Sequence, residues 1–126
     1  EALVKGEELA IVHDQWGNPA FVGDVALSLV ELCLRGSTGL FHVGGADYMT
    51  RHELVQELAR FFGLDAGRVR AVPSEHVGQK AKRPLRSGLR WEHLAAKLGR
   101  EPMGFAQGLA AMKKEQDFRR DFADLA

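Results

Sequence analysis

The chain carries one cysteine, Cys33, one tyrosine, Tyr48, and no surplus of either charge. A lone cysteine excludes an intramolecular disulfide and any cysteine-rich zinc site, and it gives no sign of secretion. Seventeen Lys and Arg balance seventeen Asp and Glu, for a formal net charge of zero. That argues against a nucleic-acid coat or a membrane-surface protein, both usually cationic. No apolar run approaches the roughly 20 residues of a bilayer span, since Val25–Leu34 is interrupted by Ser28 and Glu31. The opening Glu1–Lys5 is mixed rather than a basic-then-apolar leader, so the expectation is a cytoplasmic protein without nucleic-acid or membrane partners. The first residue is Glu1 rather than Met, which raises the expectation of a piece of a longer protein. What is present suffices for one domain, because 126 residues that are 45% apolar can fill a core.

Leu9-Ala10-Ile11-Val12 reads as a short buried strand, followed by the polar loop Asp14-Gln15-Trp16-Gly17-Asn18-Pro19. Asp24 stands where an N-cap belongs, ahead of a helix over Val25–Leu34 that Gly36 stops. That helix is apolar on most of its circumference and should be packed on more than one side, with Cys33 as a small buried hydrophobe. Gly39–Gly45 reads as a second buried strand running into a glycine turn. Thr50 and Glu53 form a capping-box pair, and Leu54, Val55, Leu58, Ala59 and Phe62 make one apolar stripe before Gly63. Arg68–Pro73 alternates as a half-exposed strand does. Glu92–Leu98 is a helix closed by Gly99, and Phe105, Leu109 and Met112 mark a last one. The charged stretch from Lys113 reads as a solvated face or a fraying tail. Three short strands and about four helices follow, an α/β pattern whose sheet is thin enough to belong to something larger.

Little here announces catalysis. His13, His42, His52, His76 and His93 lack helical metal-ligand spacing, and no serine sits in a G-x-S-x-G setting. Gly44-Gly45 is not a G-x-G-x-x-G loop. One cluster stands out: Lys80, Lys82, Arg83, Arg86 and Arg90, with no acid between Val77 and Trp91. Pro84 favours extended backbone at Arg83, a setting from which a guanidinium can reach an anion and grip it bidentately. The competing reading is a solvated basic loop.

Several motifs together resemble a known family. Asp14-Gln15-Trp16-Gly17-Asn18-Pro19 with Asp24-Val25-Ala26 is similar to the D-Q-x-G-x-P-T and D-[VL]-A segments of dTDP-4-dehydrorhamnose reductases. Gly39-Leu40-Phe41-His42-Val43-Gly44-Gly45 resembles their G-[IL]-[YF]-H-x-x-G strand. Thr50-Arg51-His52-Glu53-Leu54 resembles their [ST]-x-x-E-[FL] helix start, and Ala81–Leu89 their A-x-R-P-x-x-S-x-L. Ala20 departs from the family's Thr, and Arg90 from a common acidic cap.

The resemblance implies the C-terminal portion of an extended short-chain dehydrogenase/reductase, a Rossmann-type α/β fold. Over residues 1–126 it implies a single substrate-binding segment without the dinucleotide-binding domain. The Tyr-x-x-x-Lys pair is missing, since Tyr48 is followed four residues later by His52, and so is the glycine-rich nucleotide loop. The expectation is therefore no catalytic residue and no cofactor bound by this chain alone, with NADPH or NADH implied for the full-length parent. The implied ligand is a nucleotide-linked 4-keto-6-deoxy sugar. Arg83 would contact its diphosphate, with Lys82 and Arg86 adding positive field. A cut from a larger fold should also leave an apolar patch that drives self-association. A different class stays open: a non-catalytic regulatory or scaffold relative, like the regulatory subunit of methionine adenosyltransferase.

Overall fold

The computed structural model describes residues 2–123, with side chains as far as residue 116. In chain order it contains β1 (Leu9–Val12), β2 (Trp16–Gly17), α1 (Val22–Leu34), β3 (Met49–Thr50) and α2 (Arg51–Phe61). These are followed by β4 (Val69–Val72), α3 (Glu92–Leu98) and α4 (Phe105–Ala123). Contacts divide the backbone into two units. One holds the residues up to Pro19 with Asp47–Leu89; the other holds Ala20–Ala46 with the residues from Arg90 on.

In the first unit β1 and β4 pair in parallel, Leu9 opposite Val69 and Val12 opposite Val72. The His13 N–H extends the ladder by donating to Val72 O. Parallel strands need a crossover, and α2 provides it, burying Ala59 completely while Val12 and Val69 fill the strand side. The helix begins as its sequence demands. Thr50 Oγ1 accepts from the Glu53 N–H at 3.1 Å, and Glu53 Oε2 accepts from the Thr50 N–H at 2.7 Å. It ends at Gly63, whose φ of 68° suits a residue without Cβ. Phe62, expected on the buried stripe, is instead exposed as the C-cap residue. The pair β2–β3 was not foreseen: two antiparallel residues on each side, Trp16 opposite Thr50, tie the loop after β1 to the start of α2.

In the second unit Leu32 of α1 packs with Leu94 and Leu98 of α3, and Phe41 and Val43 lean on the same cluster. Burying a leucine to the extent of Leu94 contributes about 1.5–3 kcal/mol. Arg35, just past α1, donates to Lys97 O and Leu98 O and so closes the C-terminus of α3. Among the basic and acidic residues from Lys113 on, those with described side chains, Lys113 to Glu115, are exposed as expected. The charged residues beyond 116 lie outside the described side chains.

Three sequence expectations need correction. Asp24 is not the N-cap of α1. The helix starts at Val22 behind Phe21, and the Asp24 carboxylate, buried in the first turn, accepts from the Met103 N–H and from Arg100. Gly39–Gly45 is not a strand, because a strand is a property of a pair and this segment has no ladder partner among the described residues. Cys33 is exposed rather than buried. Within the described chain α1 buries Asp24, Ser28 and Leu32 and leaves Leu27, Leu29, Val30 and Leu34 exposed, an apolar surface of the kind expected of a segment belonging to a larger fold.

Candidate functional site

The segments 14–18 and 74–89 of the first unit are zipped together, and the zipper builds a cleft. Asp14 accepts from the Ser74 N–H and hydroxyl at 3.0 and 2.8 Å. The backbone donation comes first among the causes that hold its carboxyl below the ordinary carboxylate range. Asp14 is thus a clasp between the end of β1 and the turn after β4. Buried Gln15 donates through Nε2 to Gln79, and its carbonyl accepts from the Arg51 N–H. The Trp16 N–H donates to Leu85 O at 2.7 Å, and Trp16 O accepts from the Ser87 N–H and hydroxyl. Asn18 Oδ1 accepts from the Leu89 N–H. These bonds fix the otherwise irregular basic segment against β2.

The resulting cleft measures about 530 Å³ and is walled by Trp16, Asn18, Pro19, Met49, Leu54 and Arg83, among others. A smaller cavity of about 260 Å³ is lined by Gln15, Arg51, Gln79, Lys80, Ala81 and Arg83. Arg51 and Arg83 line both, and among the described residues no Asp or Glu lines either. Tyr48 stacks on Trp16 with ring centroids 5.3 Å apart and so stiffens that wall.

Of the residues named from sequence, Arg83 is at the cleft, and no hydrogen bond or ion pair ties its guanidinium to another described residue. Lys82 and Arg86 are exposed and line neither cavity; Arg86 serves instead as a backbone bridge partner of Trp16. Arg90 falls in the second unit and is spent on Glu92, Nη2 to Oε1 at 3.0 Å. Sequence reasoning missed Arg51 and Gln15. Both lie inside motifs read for their helix-capping and turn signals rather than for their side chains.

The lining chemistry suits binding more than bond-making. No His, Cys, Tyr, Asp or Glu faces the larger cleft, and no cluster that could hold a metal occurs among the described residues. The His52 ring is directed elsewhere, Nε2 donating to Val69 O at 3.1 Å. Neither of the two glycine-turn or helix-start features nearest the motifs forms a dinucleotide loop. Gly44-Gly45 does not open a helix, and the first turn of α2 is already capped by Thr50.

The fold is α/β, matching part of the Rossmann-like fold of extended short-chain dehydrogenases/reductases. The solved dTDP-4-dehydrorhamnose reductase of Bacillus anthracis, in complex with NADP, superposes with a TM-score of 0.82 at 23% identity. That match covers 90% of this chain and 40% of the other. A dTDP-4-dehydrorhamnose reductase ortholog from Clostridium acetobutylicum gives 0.80 at 25% identity, covering 91% and 41%. In sequence, the chain is 38% identical over 78 residues to the dTDP-4-keto-6-deoxy-D-glucose reductase of Streptomyces niveus, 62% of this chain and 27% of that protein. Residues 1–118 match the model of the RmlD substrate binding domain, and the chain belongs to that family. It spans between about a quarter and two fifths of the length of these relatives.

Proposed function

We propose that this chain is the sugar-nucleotide-binding portion of an NAD(P)H-dependent reductase acting on dTDP-linked 4-keto-6-deoxy sugars. It would work beside a dinucleotide-binding domain that brings the nicotinamide cofactor, which supplies hydride. The observation that carries the reading is Arg83, whose guanidinium has no partner among the described residues, on the wall of a cleft that no described carboxylate lines. Such a group is suited to the diphosphate of a nucleotide sugar, which it can grip with two parallel donors. Lys82 and Arg86 add positive field from outside the cleft. The chain's own work is to bind and orient: Trp16 and Pro19 offer an apolar wall, and Asn18 a polar edge.

Titration of dTDP into the parent protein tests this. Arg83→Ala should weaken binding about ten- to hundredfold, the scale of one charge-assisted contact of about 1.5–3 kcal/mol. Arg90→Ala, in which the lost charge was already paired with Glu92, should change affinity little. Equal small losses at both positions, fading together with salt, would mean a diffuse basic surface. The 126-residue chain alone should bind NADPH no better than background, and saturable micromolar binding would overturn that part.

A further inference from the structure

We infer that Arg51 is a second diphosphate-binding residue, facing the anion together with Arg83 across the smaller cavity. The inference rests on the reading above and extends it to a residue outside the basic segment. Both residues line both cavities, and Lys80 joins them at the smaller one. In a chain whose charges balance, the described residues of these walls include cations and no carboxylate. Arg51 makes no side-chain hydrogen bond or ion pair with another described residue. Its backbone, by contrast, is pinned twice: its N–H donates to Gln15 O, and Thr50 beside it pairs with Trp16. The side chain is thus held at the cavity without being used by the fold.

Its placement is also unfavourable for the helix. Arg51 is the first residue of α2, where the positive end of the helix dipole disfavours a cation by about 0.3–1 kcal/mol. A dianion between Arg51, Lys80 and Arg83 would reverse that penalty and relieve the repulsion among them. The larger cleft, with its apolar wall, then remains for the uncharged parts of the ligand.

The test is dTDP titration of the parent protein carrying Arg51→Ala or Arg51→Gln, with thermal melting alongside. Either variant should bind dTDP about tenfold more weakly, the scale of one charge-assisted contact. The salt dependence of binding should become shallower. Neither should melt lower than the parent, because a disfavoured charge has been removed from a helix start. If both bind dTDP as the parent does while Arg83→Ala weakens it, the inference falls and the proposed function stands. If Arg83→Ala is also silent, both fall. A melting temperature lowered in both variants along with affinity would make Arg51 a structural residue instead.

Discussion

Arg100 reaches back 76 residues to Asp24, its Nη1 lying 2.8 Å from Oδ1. The same guanidinium donates through Nη2 to Ser28 and through Nε to Glu31, so three successive turns of α1 are held by one side chain. Asp24 also accepts from the Met103 N–H at 2.9 Å. With Ser28 fully buried and Asp24 6% exposed, this network lies largely out of water.

Removing the aspartate should therefore hurt. Asp24→Ala leaves Arg100 and the Met103 N–H short of a partner, at about 2–4 kcal/mol; Arg100 keeps some solvent, which places the cost toward the lower end of buried-pair losses. Asp24→Asn should recover part of it. Urea denaturation followed by circular dichroism checks this, and a loss within about 0.5 kcal/mol, typical of surface sites, would count against the network.

The capping box gives a pH-dependent expectation. Glu53 accepts first from the Thr50 N–H and then from its hydroxyl, which holds its carboxyl below the ordinary 4.5. A depressed carboxyl contributes stability above its unfolded value and loses it as pH falls through the folded one. Stability should stay level from neutrality to about pH 5 and decline below it. Asp14, lowered chiefly by the Ser74 N–H, adds to the same acid limb. Glu53→Gln should flatten part of that decline, and an unfolding midpoint tracking the parent at every pH would refute the assignment. Thr50→Ala should cost about 1 kcal/mol at neutral pH.

Gly88 gives a packing test of the cleft wall. A Cβ there would run into the Tyr48 ring and lie 2.9 Å from Asn18 Oδ1, which is already engaged by the Leu89 N–H. Gly88→Ala should push Tyr48 off Trp16 at a cost of about 1–3 kcal/mol. Near-ultraviolet circular dichroism and tryptophan fluorescence report the displaced ring. An unchanged aromatic spectrum would show that the wall yields elsewhere.

Elements with a local signal were legible in the sequence. The Thr50–Glu53 box, the strand over Val69–Val72 and the Gly99 stop each need only neighbours to be recognised, although Ala71 is exposed where strict alternation would bury it. Asp24 was not, because a carboxylate at a helix start serves equally as a cap or as a tertiary acceptor, and only Arg100 decides between them. Leu40–Val43 has strand-forming residues, yet pairing depends on a second backbone. At the cleft, Arg83 was legible from its cation cluster and its place in the Ala81–Leu89 motif, whereas Arg51 comes to the same cavities through the pairing of Trp16 with Thr50. A two-residue strand is too short to show any period.

The interleaving of the two units bears on how the protein is made. Asp14 waits for Ser74, 60 residues on, before the end of β1 is clasped. Asp24 waits 76 residues for Arg100. At synthesis rates of 5–20 residues per second, those gaps last about 3–15 s, during which β1 and the apolar α1 are without the partners they will later hold. The nascent chain is then most exposed to misassociation, and slow codons between residues 14 and 74 would lengthen the exposure. Neither unit can close while its second stretch is still inside the ribosome.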